Sequence, residues 1–319
     1  MILQPDPESA GEPRSPVFAP EGGDALLELI AEQPPSNAPE TPAVLPFVTP
    51  GDFLQAYGLR ENPFPDSVQP AFYFRTEAHA EALRSMLLAV EFRTSLGLVT
   101  GPSGTGKTLV TQMLLQTLDE SKYRAALVLV TPGLSKTGLL REILAELGIA
   151  LPVGIGQVQD LVRLISNYII ELHEEGRRLV LVIDEAHLLS ADCLHLVRTL
   201  SNIETPEQKL CTCLLFGETR LAQRLELPTY ESLRNRIYLR AELPPLNVAD
   251  TAQYVKFRLM AVGRFNDLFT DGALEAVHAH SKGIPRSLNK IAMLSLFEGA
   301  LSQRALIDHA VVGLAAQRL

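Results

Sequence analysis

The chain has 319 residues, of which 46% are hydrophobic, and a formal net charge of −9. This length is sufficient for about two domains with a substantial core, while the acidic balance argues against the overall basic field of a dedicated nucleic-acid-binding protein. The sequence contains no run of about 18 apolar residues and no basic and apolar signal segment at its N-terminus, so neither a transmembrane helix nor export is expected.

Residues 1–50 differ in composition from the rest of the chain. They hold eight acidic residues against one basic residue, together with eleven of the 22 prolines. This composition predicts a disordered, solvated tail. One segment, Asp24 to Glu32, carries apolar residues at helical spacing behind a capping aspartate. The spacing fits either a helix that docks on a partner or a transient helix within the tail.

Strand and helix patterns alternate from about residue 51 to residue 246. The predicted strands are 96–100, 125–131, 179–184, 211–217 and 237–242, and the predicted helices between them are 77–92, 107–119, 135–147, 157–175 and 191–202. This alternation predicts an α/β domain over 51–246 with a five-stranded parallel sheet. The strand at 179–184 is apolar on both faces, which is typical of a central strand that is covered on both sides.

The strand patterns stop after Pro244 and Pro245. Helical patterns follow near 249–262, 271–280, 285–300 and 305–318. Residues 247–319 are therefore predicted to form a smaller, all-helical domain.

A phosphate-binding motif lies between the first strand and the helix that follows it. The pattern Gly-x-x-x-x-Gly-Lys-Thr ends at Thr108, in the strand–loop–helix context that its mechanism requires. Glycines allow the backbone to curl so that its N–H groups point inward, and the helix start adds further N–H groups and a positive dipole end. The residues predicted to bind ATP are Gly101, Pro102, Ser103, Gly104, Thr105, Gly106, Lys107, Thr108 and Leu109.

Asp184 and Glu185 end an apolar strand and supply the second half of the predicted site. If this strand lies parallel and adjacent to the strand before the loop, both carboxylates reach the phosphates. Asp184 and the Thr108 hydroxyl are then predicted to hold Mg²⁺. Glu185 is predicted to polarise the water that attacks the γ-phosphate, while Lys107 contacts the terminal phosphates.

Three arginines are candidates for stabilising negative charge during hydrolysis. Arg234 and Arg236 precede the last strand, and one of them is predicted to act as a finger toward a neighbouring subunit. Arg286 opens a helix of the C-terminal region and is predicted to reach the γ-phosphate. The alternative for each is a solvated surface arginine. Isolated histidines such as His79 are expected to be ordinary surface or interface residues.

These motifs together resemble the general secretion pathway protein A group, the ExeA type, of AAA+ ATPases. The segments that carry the resemblance are Tyr57–Phe64, Gly101–Thr108, Val182–His187, Leu200–Thr205, Leu233–Ile237 and Gly283–Arg286. The resemblance implies a P-loop NTPase core of the AAA+ type, a helical lid and ATP-dependent assembly into a homo-oligomer. It also implies that the first segment lies near the adenine. The candidates for the base pocket are then Leu59, Asn62, Pro63 and Phe64.

The chain departs from the pattern of this group after the fourth strand, where Gly-Gln-Pro-Glu is usual and Gly217-Glu218-Thr219-Arg220 stands here. The sensor position after the fourth strand, usually a glutamine, is Glu218. An acid near a γ-phosphate is repulsive unless a cation intervenes, so Glu218 bears on the rate of hydrolysis.

The resemblance favours a cytoplasmic ATPase that assembles or remodels secretion, pilus or envelope machinery. Contact with the inner membrane would then be made through a protein partner. Two alternatives remain open at this point. One is a DNA-associated ATPase of the transposition-helper kind, against which the nearly balanced charge of residues 51–319 argues mildly. The other is a nucleotide-gated scaffold that turns ATP over slowly, to which Glu218 points.

Overall fold

The computed structural model describes residues 53–66 and 72–319, all of which belong to one compact unit, Val44–Leu319. The predicted acidic tail, including the segment from Asp24 to Glu32, lies outside the described residues. Within the described part of the chain, no helix is long and apolar enough to cross a membrane.

A five-stranded sheet forms the centre of the first half of the structure, with every strand parallel to its neighbours. The strands are β1 (Leu96–Thr100), β2 (Tyr123–Leu129), β3 (Arg178–Asp184), β4 (Cys211–Gly217) and β5 (Ile237–Glu242). Their order across the sheet is β2-β3-β4-β1-β5. The predicted fold class is confirmed, although β2 begins two residues and β3 one residue before the predicted start.

The expected adjacency of β1 and β3 is wrong. β4 lies between them, with Val99 of β1 opposite Phe216 and Ile183 of β3 opposite Leu215. The local sequence of a strand does not encode its neighbour, and three apolar strands compete for the same central positions. The carboxyl ends of β1 and β3 nevertheless meet at the same edge, because all the strands run in one direction.

Helices cover both faces of the sheet. They are α2 (Glu77–Glu91), α3 (Lys107–Thr117), α4 (Lys136–Leu147), α5 (Val158–Glu174), α6 (Ala191–Leu200), α7 (Thr219–Leu225) and α8 (Glu231–Arg234), with 3₁₀ turns at Ala186–Leu188 and Pro228–Tyr230. The first described helix, α1 (Phe53–Ala56), packs instead in the helical cluster described below. Successive residues of β3 point to opposite faces, so Leu181 joins the cluster under α4 to α6 while Val182 joins the cluster under α2 and α3. The short helices α7 and α8 were not predicted.

Four helices follow β5 and pack around a third hydrophobic cluster. They are α9 (Val248–Ala261), α10 (Asp271–Ser281), α11 (Pro285–Leu301) and α12 (His309–Ala316). Three of them begin at side-chain caps, from Asn247, Thr270 and Asp308.

The segment before α2, which the sequence assigned to the α/β domain, packs within this helical cluster. Tyr57, Leu59 and Phe64 are buried there, and the Tyr57 hydroxyl donates a hydrogen bond to the Arg304 carbonyl at 2.9 Å. The two ends of the described chain are therefore joined in one apolar core.

Gly283 sits where the chain after β5 meets the start of α11. Its φ is +71°, and a Cβ built on it would lie 2.0 Å from the Leu246 carbonyl oxygen. The Leu246 N–H donates to the Gly283 carbonyl at 2.8 Å, so the two backbones cannot separate without losing this bond. The close approach requires a residue without a side chain.

We expect Gly283→Ala to lower the free energy of unfolding by at least about 2 kcal/mol, because backbone strain and a clash with backbone act together. Gly133→Ala is the matched control. Gly133 has a similar φ of +80° but nothing within 4 Å of the added methyl group, so about 1 kcal/mol is expected. Urea unfolding of both variants measures the difference, and equal losses would contradict the steric argument.

Candidate nucleotide-binding site

The loop from Gly101 to Gly106 joins β1 to α3 and has the form of an anion-binding nest. Gly104 and Gly106 have φ values of +83° and +98°. A Cβ on Gly106 would lie 2.7 Å from His79 Nε2, and one on Gly104 would lie 2.8 Å from the Arg286 Cβ. Neighbours therefore press on the loop from α2 and from α11, so both its conformation and its packing need glycine.

Lys107, the first residue of α3, places its ammonium group inside the loop. Its Nζ donates to the carbonyl oxygens of Gly101 at 3.0 Å and Pro102 at 2.8 Å. Burial lowers the pKa of Lys107 below its ordinary value, and the carboxylates of Glu185 and nearby acids oppose that shift. The charge is thus held by backbone oxygens at the position where phosphate oxygens bind in such loops.

A hydrogen bond joins the loop to the end of β3. The Thr108 hydroxyl donates to Asp184 Oδ2 at 2.9 Å, and the Glu185 N–H donates to Asp184 Oδ1 at 2.8 Å. Asp184 is only 2% exposed. A hydroxyl and a carboxylate at this distance are hard oxygen ligands of the kind that Mg²⁺ takes.

Glu185 lies at the edge of the cleft in a left-handed backbone conformation, with φ of 56°. For a residue with a side chain this conformation is strained by about 1 to 3 kcal/mol. Glu185 Oε2 lies 3.2 Å from Nδ1 of the buried His187 ring.

His187 separates Glu185 from Glu218. The Glu218 N–H donates to His187 Nδ1 at 3.2 Å, and Glu218 Oε1 lies 3.8 Å from His187 Nε2. Burial lowers the pKa of His187, which favours the neutral ring. Arg220 Nε lies 3.0 Å from Glu218 Oε2. The positive charge of Arg220 therefore lies next to the Glu218 carboxylate.

These three side chains have the residue types of a metal site, and their ligand atoms lie within 4.8 Å of one another. However, Nδ1 faces Glu185 while Nε2 faces Glu218. The ring thus lies between the two carboxylates, and the three side chains follow one another along the edge of the sheet.

The far end of the cleft is aromatic. Phe74 and Tyr254 meet edge to face with ring centroids 5.6 Å apart, and the Tyr254 hydroxyl donates to Asn289 Oδ1 at 2.7 Å. Besides the loop residues from Ser103 to Leu109 and Glu185, the cleft is lined by Pro65, Asp66, Phe72, Phe74, His79, Leu246, Tyr254, Arg258, Pro285, Arg286 and Asn289. No sequence motif singled out the aromatic residues of this wall.

The four residues expected to form the base pocket are not among the described residues that line the cleft. Leu59 and Phe64 are each 4% exposed and belong to the helical core, and the Asn62 side chain accepts a hydrogen bond from the Phe64 N–H at 2.8 Å. Pro63 contributes its carbonyl oxygen to Arg258. These residues support the cleft wall from behind.

The candidate arginines occupy different places. Arg286 lines the cleft, and its N–H donates to the Gly104 carbonyl at 3.3 Å. Arg234 donates to the Glu226 carbonyl and lies 3.1 Å from Glu226 Oε2. Arg236 is partly exposed. Neither Arg234 nor Arg236 is among the described residues lining the cleft.

His79 is not a surface residue as the sequence suggested, being only 6% exposed. Its Nε2 donates to the Thr105 carbonyl at 2.9 Å, and its Nδ1 accepts from the Thr76 hydroxyl at 2.6 Å. The start of α2 could be predicted from its capping residue, Thr76, but nothing in the local sequence indicates that His79 contacts the phosphate loop. His79 thus ties α2 to the phosphate loop.

A glycine nest with a buried lysine, next to a hydroxyl–carboxylate pair at the edge of a parallel sheet, defines a P-loop nucleotide-binding fold of the AAA+ class. The sequence of residues 90–225 matches the family described as AAA domain. General secretion pathway protein A of Aeromonas hydrophila is 34% identical over 264 residues, which is 83% of this chain. The chain belongs to the general secretion pathway protein A family of AAA+ ATPases. It spans 48% of this relative's length, or about half.

Solved structures share the fold at low identity. The Aeropyrum pernix ORC2 protein, in ADPNP and ADP complexes, has a TM-score of 0.58 at 17% identity, covering 82% of this chain and 72% of that one. Cdc6p from Pyrobaculum aerophilum has a TM-score of 0.60 at 16% identity, covering 77% and 67%. In the structure of Drosophila ORC bound to DNA, the matching chain has a TM-score of 0.60 at 17% identity, covering 92% and 72%.

The buried His79 predicts a specific pH dependence of stability. Burial lowers its pKa in the folded protein, so as the pH falls below the ordinary value of about 6.5 the unfolded chain binds more protons than the folded one. The stability that His79 contributes is therefore present above pH 6.5 and declines below it. We expect the unfolding free energy of the wild type relative to His79→Gln to shrink between pH 7.5 and pH 5.5, measured by urea unfolding. A difference that stays constant or grows would contradict this sign.

Proposed function

We propose that this protein binds ATP with Mg²⁺ in the cleft and hydrolyses it. The observation that carries the proposal is the 2.9 Å hydrogen bond between the Thr108 hydroxyl and Asp184, directly beside a loop whose Lys107 ammonium is held only by backbone carbonyls. A triphosphate that enters the loop replaces those carbonyls as the partner of Lys107. The N–H groups of the nest donate hydrogen bonds to the remaining phosphate oxygens.

The base of the nucleotide belongs at the aromatic end of the cleft. Phe72, Phe74 and Tyr254 offer flat apolar surfaces there, and such surfaces suit a purine. The base pocket in this proposal is therefore built by these residues, with Leu59 and Phe64 supporting them from behind.

In the proposed hydrolysis, each side chain around the phosphate loop has its own role. Thr108 and Asp184 would hold Mg²⁺, which neutralises phosphate charge when it is bound. Glu185 accepts a hydrogen bond from the attacking water and orients it toward the γ-phosphate. Lys107 and Arg286 stabilise the charge that develops on the phosphoryl oxygens.

His187 lies beside the catalytic carboxylate in this mechanism. Its neutral ring lies between Glu185 and Glu218, at 3.2 Å and 3.8 Å respectively. Arg220 Nε lies 3.0 Å from the Glu218 carboxylate. Glu218 therefore lies close to Glu185, with one buried histidine between them, although this position carries an acid instead of an amide.

We further propose that the ATPase works as a homo-oligomer that assembles or remodels a secretion or envelope complex. Family membership with general secretion pathway protein A supports this role. Arg236 is the better candidate for the finger that reaches a neighbouring subunit, because Arg234 is already engaged by Glu226 within its own chain.

Two variants separate binding from hydrolysis. We expect Lys107→Ala to abolish Mg²⁺-dependent ATP binding, measured by calorimetry, because it removes the only ammonium in the described loop. We expect Glu185→Gln to bind ATP normally but to hydrolyse it at least about 100-fold more slowly in single turnover, because it removes the general base. Equal rates for Glu185→Gln and the wild type would reject the catalytic role. ATP binding without any turnover by the wild type would leave a nucleotide-gated scaffold.

The acid at the sensor position predicts a difference between ATP and ADP. Replacing Glu218 by Gln removes a negative charge that acts on Lys107, and ATP brings one more negative charge to this end of the cleft than ADP. We expect Glu218→Gln to tighten ATP binding about 3- to 10-fold while ADP binding changes little. Glu207→Gln, an exposed acid outside the described residues that line the cleft, is the control. Equal effects on ATP and ADP would show that Glu218 does not face the γ-phosphate.

A further inference from the structure

Arg258 is a buried cation at the aromatic end of the cleft. It lies on the inner face of α9, is 5% exposed and lines the cleft. Burial lowers the pKa of its guanidinium. Among residues 53–66 and 72–319, no carboxylate forms an ion pair with it. A buried charge without a counter-ion is strongly disfavoured unless other groups stabilise it.

Aromatic rings and backbone oxygens hold this guanidinium in one orientation. Its carbon lies 4.4 Å from the centroid of the Phe72 ring and 5.5 Å from that of Tyr254, so cation–π attraction stabilises the charge. Arg258 Nε donates to the Pro63 carbonyl at 2.6 Å, and Nη1 reaches the Phe72 carbonyl at 3.4 Å. The group is therefore fixed along one edge only.

The remaining nitrogen, Nη2, is buried and has no hydrogen-bond partner among the described residues. Its two N–H groups have lost water without gaining an acceptor. Such a group is rare in folded proteins and destabilising. In a cleft of this kind, an unpaired and rigidly held donor indicates a ligand that supplies the missing acceptor.

The position of Arg258 selects the part of the ligand that it would meet. Arg286 contacts the phosphate loop through the Gly104 carbonyl, whereas the contacts of Arg258 are with Pro63, Phe72 and Tyr254. Its neighbours are flat rings: Phe72, Tyr254 and, beyond the latter, Phe74. A planar base placed among such rings presents its acceptors in its own plane, and the acceptors common to purines are ring nitrogens.

We propose that Arg258 is a specificity-determining residue that donates a hydrogen bond from Nη2 to a ring nitrogen of the purine. This inference rests on the proposed nucleotide site and deepens it. A pyrimidine, being one ring smaller, would leave the donor unpaired. The site thereby rejects a base without the acceptor by leaving a buried charge unsatisfied.

The test must separate this role from a structural one, because Arg258 also binds the carbonyls of Pro63 and Phe72. We would measure Mg²⁺-dependent binding of ATP, 1-deaza-ATP, 3-deaza-ATP, 7-deaza-ATP and inorganic tripolyphosphate to the full chain. Each deaza compound replaces one ring nitrogen by carbon and keeps the rest of the nucleotide. The wild type, Arg258→Met and Arg258→Lys are compared, with Lys256→Met, an exposed residue of the same helix, as the matched control.

We expect one of the three deaza compounds to bind the wild type roughly 10- to 100-fold more weakly than ATP does. In Arg258→Met that compound and ATP should bind equally, while tripolyphosphate binding stays as in the wild type. Lys256→Met should discriminate as the wild type does. If Arg258→Met does not fold, Arg258→Lys serves the same purpose. Lysine is shorter and has a single side-chain nitrogen, so it cannot bind the carbonyls of Pro63 and Phe72 and the purine together. The difference in binding between ATP and the deaza compound should therefore also become smaller in Arg258→Lys.

If Arg258 had only a structural role, its substitution would weaken the binding of ATP and of the deaza compounds by the same factor. This outcome would overturn the proposal. So would equal binding of all four nucleotides to the wild type, or a deaza penalty that persists in both Arg258 variants. Failure of the proposed function is distinguishable from these results, because the wild type would then bind neither ATP nor tripolyphosphate in the presence of Mg²⁺.

Discussion

The hydrogen bond between Thr108 and Asp184 is the contact on which the whole site depends. It joins the helix that follows β1 to the end of β3, across the width of β4. This distance is bridged only because the three strands run in parallel and end at one edge. Glu185, His187 and Glu218 then follow along that edge, from the ends of β3 and β4. An antiparallel strand at any of these positions would carry its acids to the opposite side of the sheet.

Much of this arrangement could be predicted from the chain itself. The glycine-lysine-threonine motif and the strand ending in Asp184 carry strong local signals, since they combine an apolar run, a turn and a charged terminus. All five strands lie where the apolar pattern predicted them, apart from the shift of β2 and one added residue at the start of β3. The order of the strands was not predictable, because β3 and β4 are both continuous apolar runs and nothing in either specifies its neighbour.

The aromatic end of the cleft could not be predicted from a motif, since Phe72 is distant in the sequence from the helix that carries Tyr254 and Arg258. One local signal was available. The buried stripe of α9 contains Thr251, Tyr254, Val255, Arg258 and Leu259, and these follow the spacing of one helix face. A charged residue in such a stripe either has a buried partner or serves a ligand. His79 is a similar case, in which a capped helix start also conceals a contact with the loop.

The absence of a side chain at Gly104 has a mechanical consequence. The Arg286 Cβ lies where a Gly104 methyl group would be, and the Arg286 N–H bonds to the Gly104 carbonyl. The loop and the first turn of α11 thus touch backbone to backbone, with no flexible side chain to absorb movement. A change in the loop conformation at Gly104 would therefore require the first turn of α11, a helix of 17 residues, to move with it.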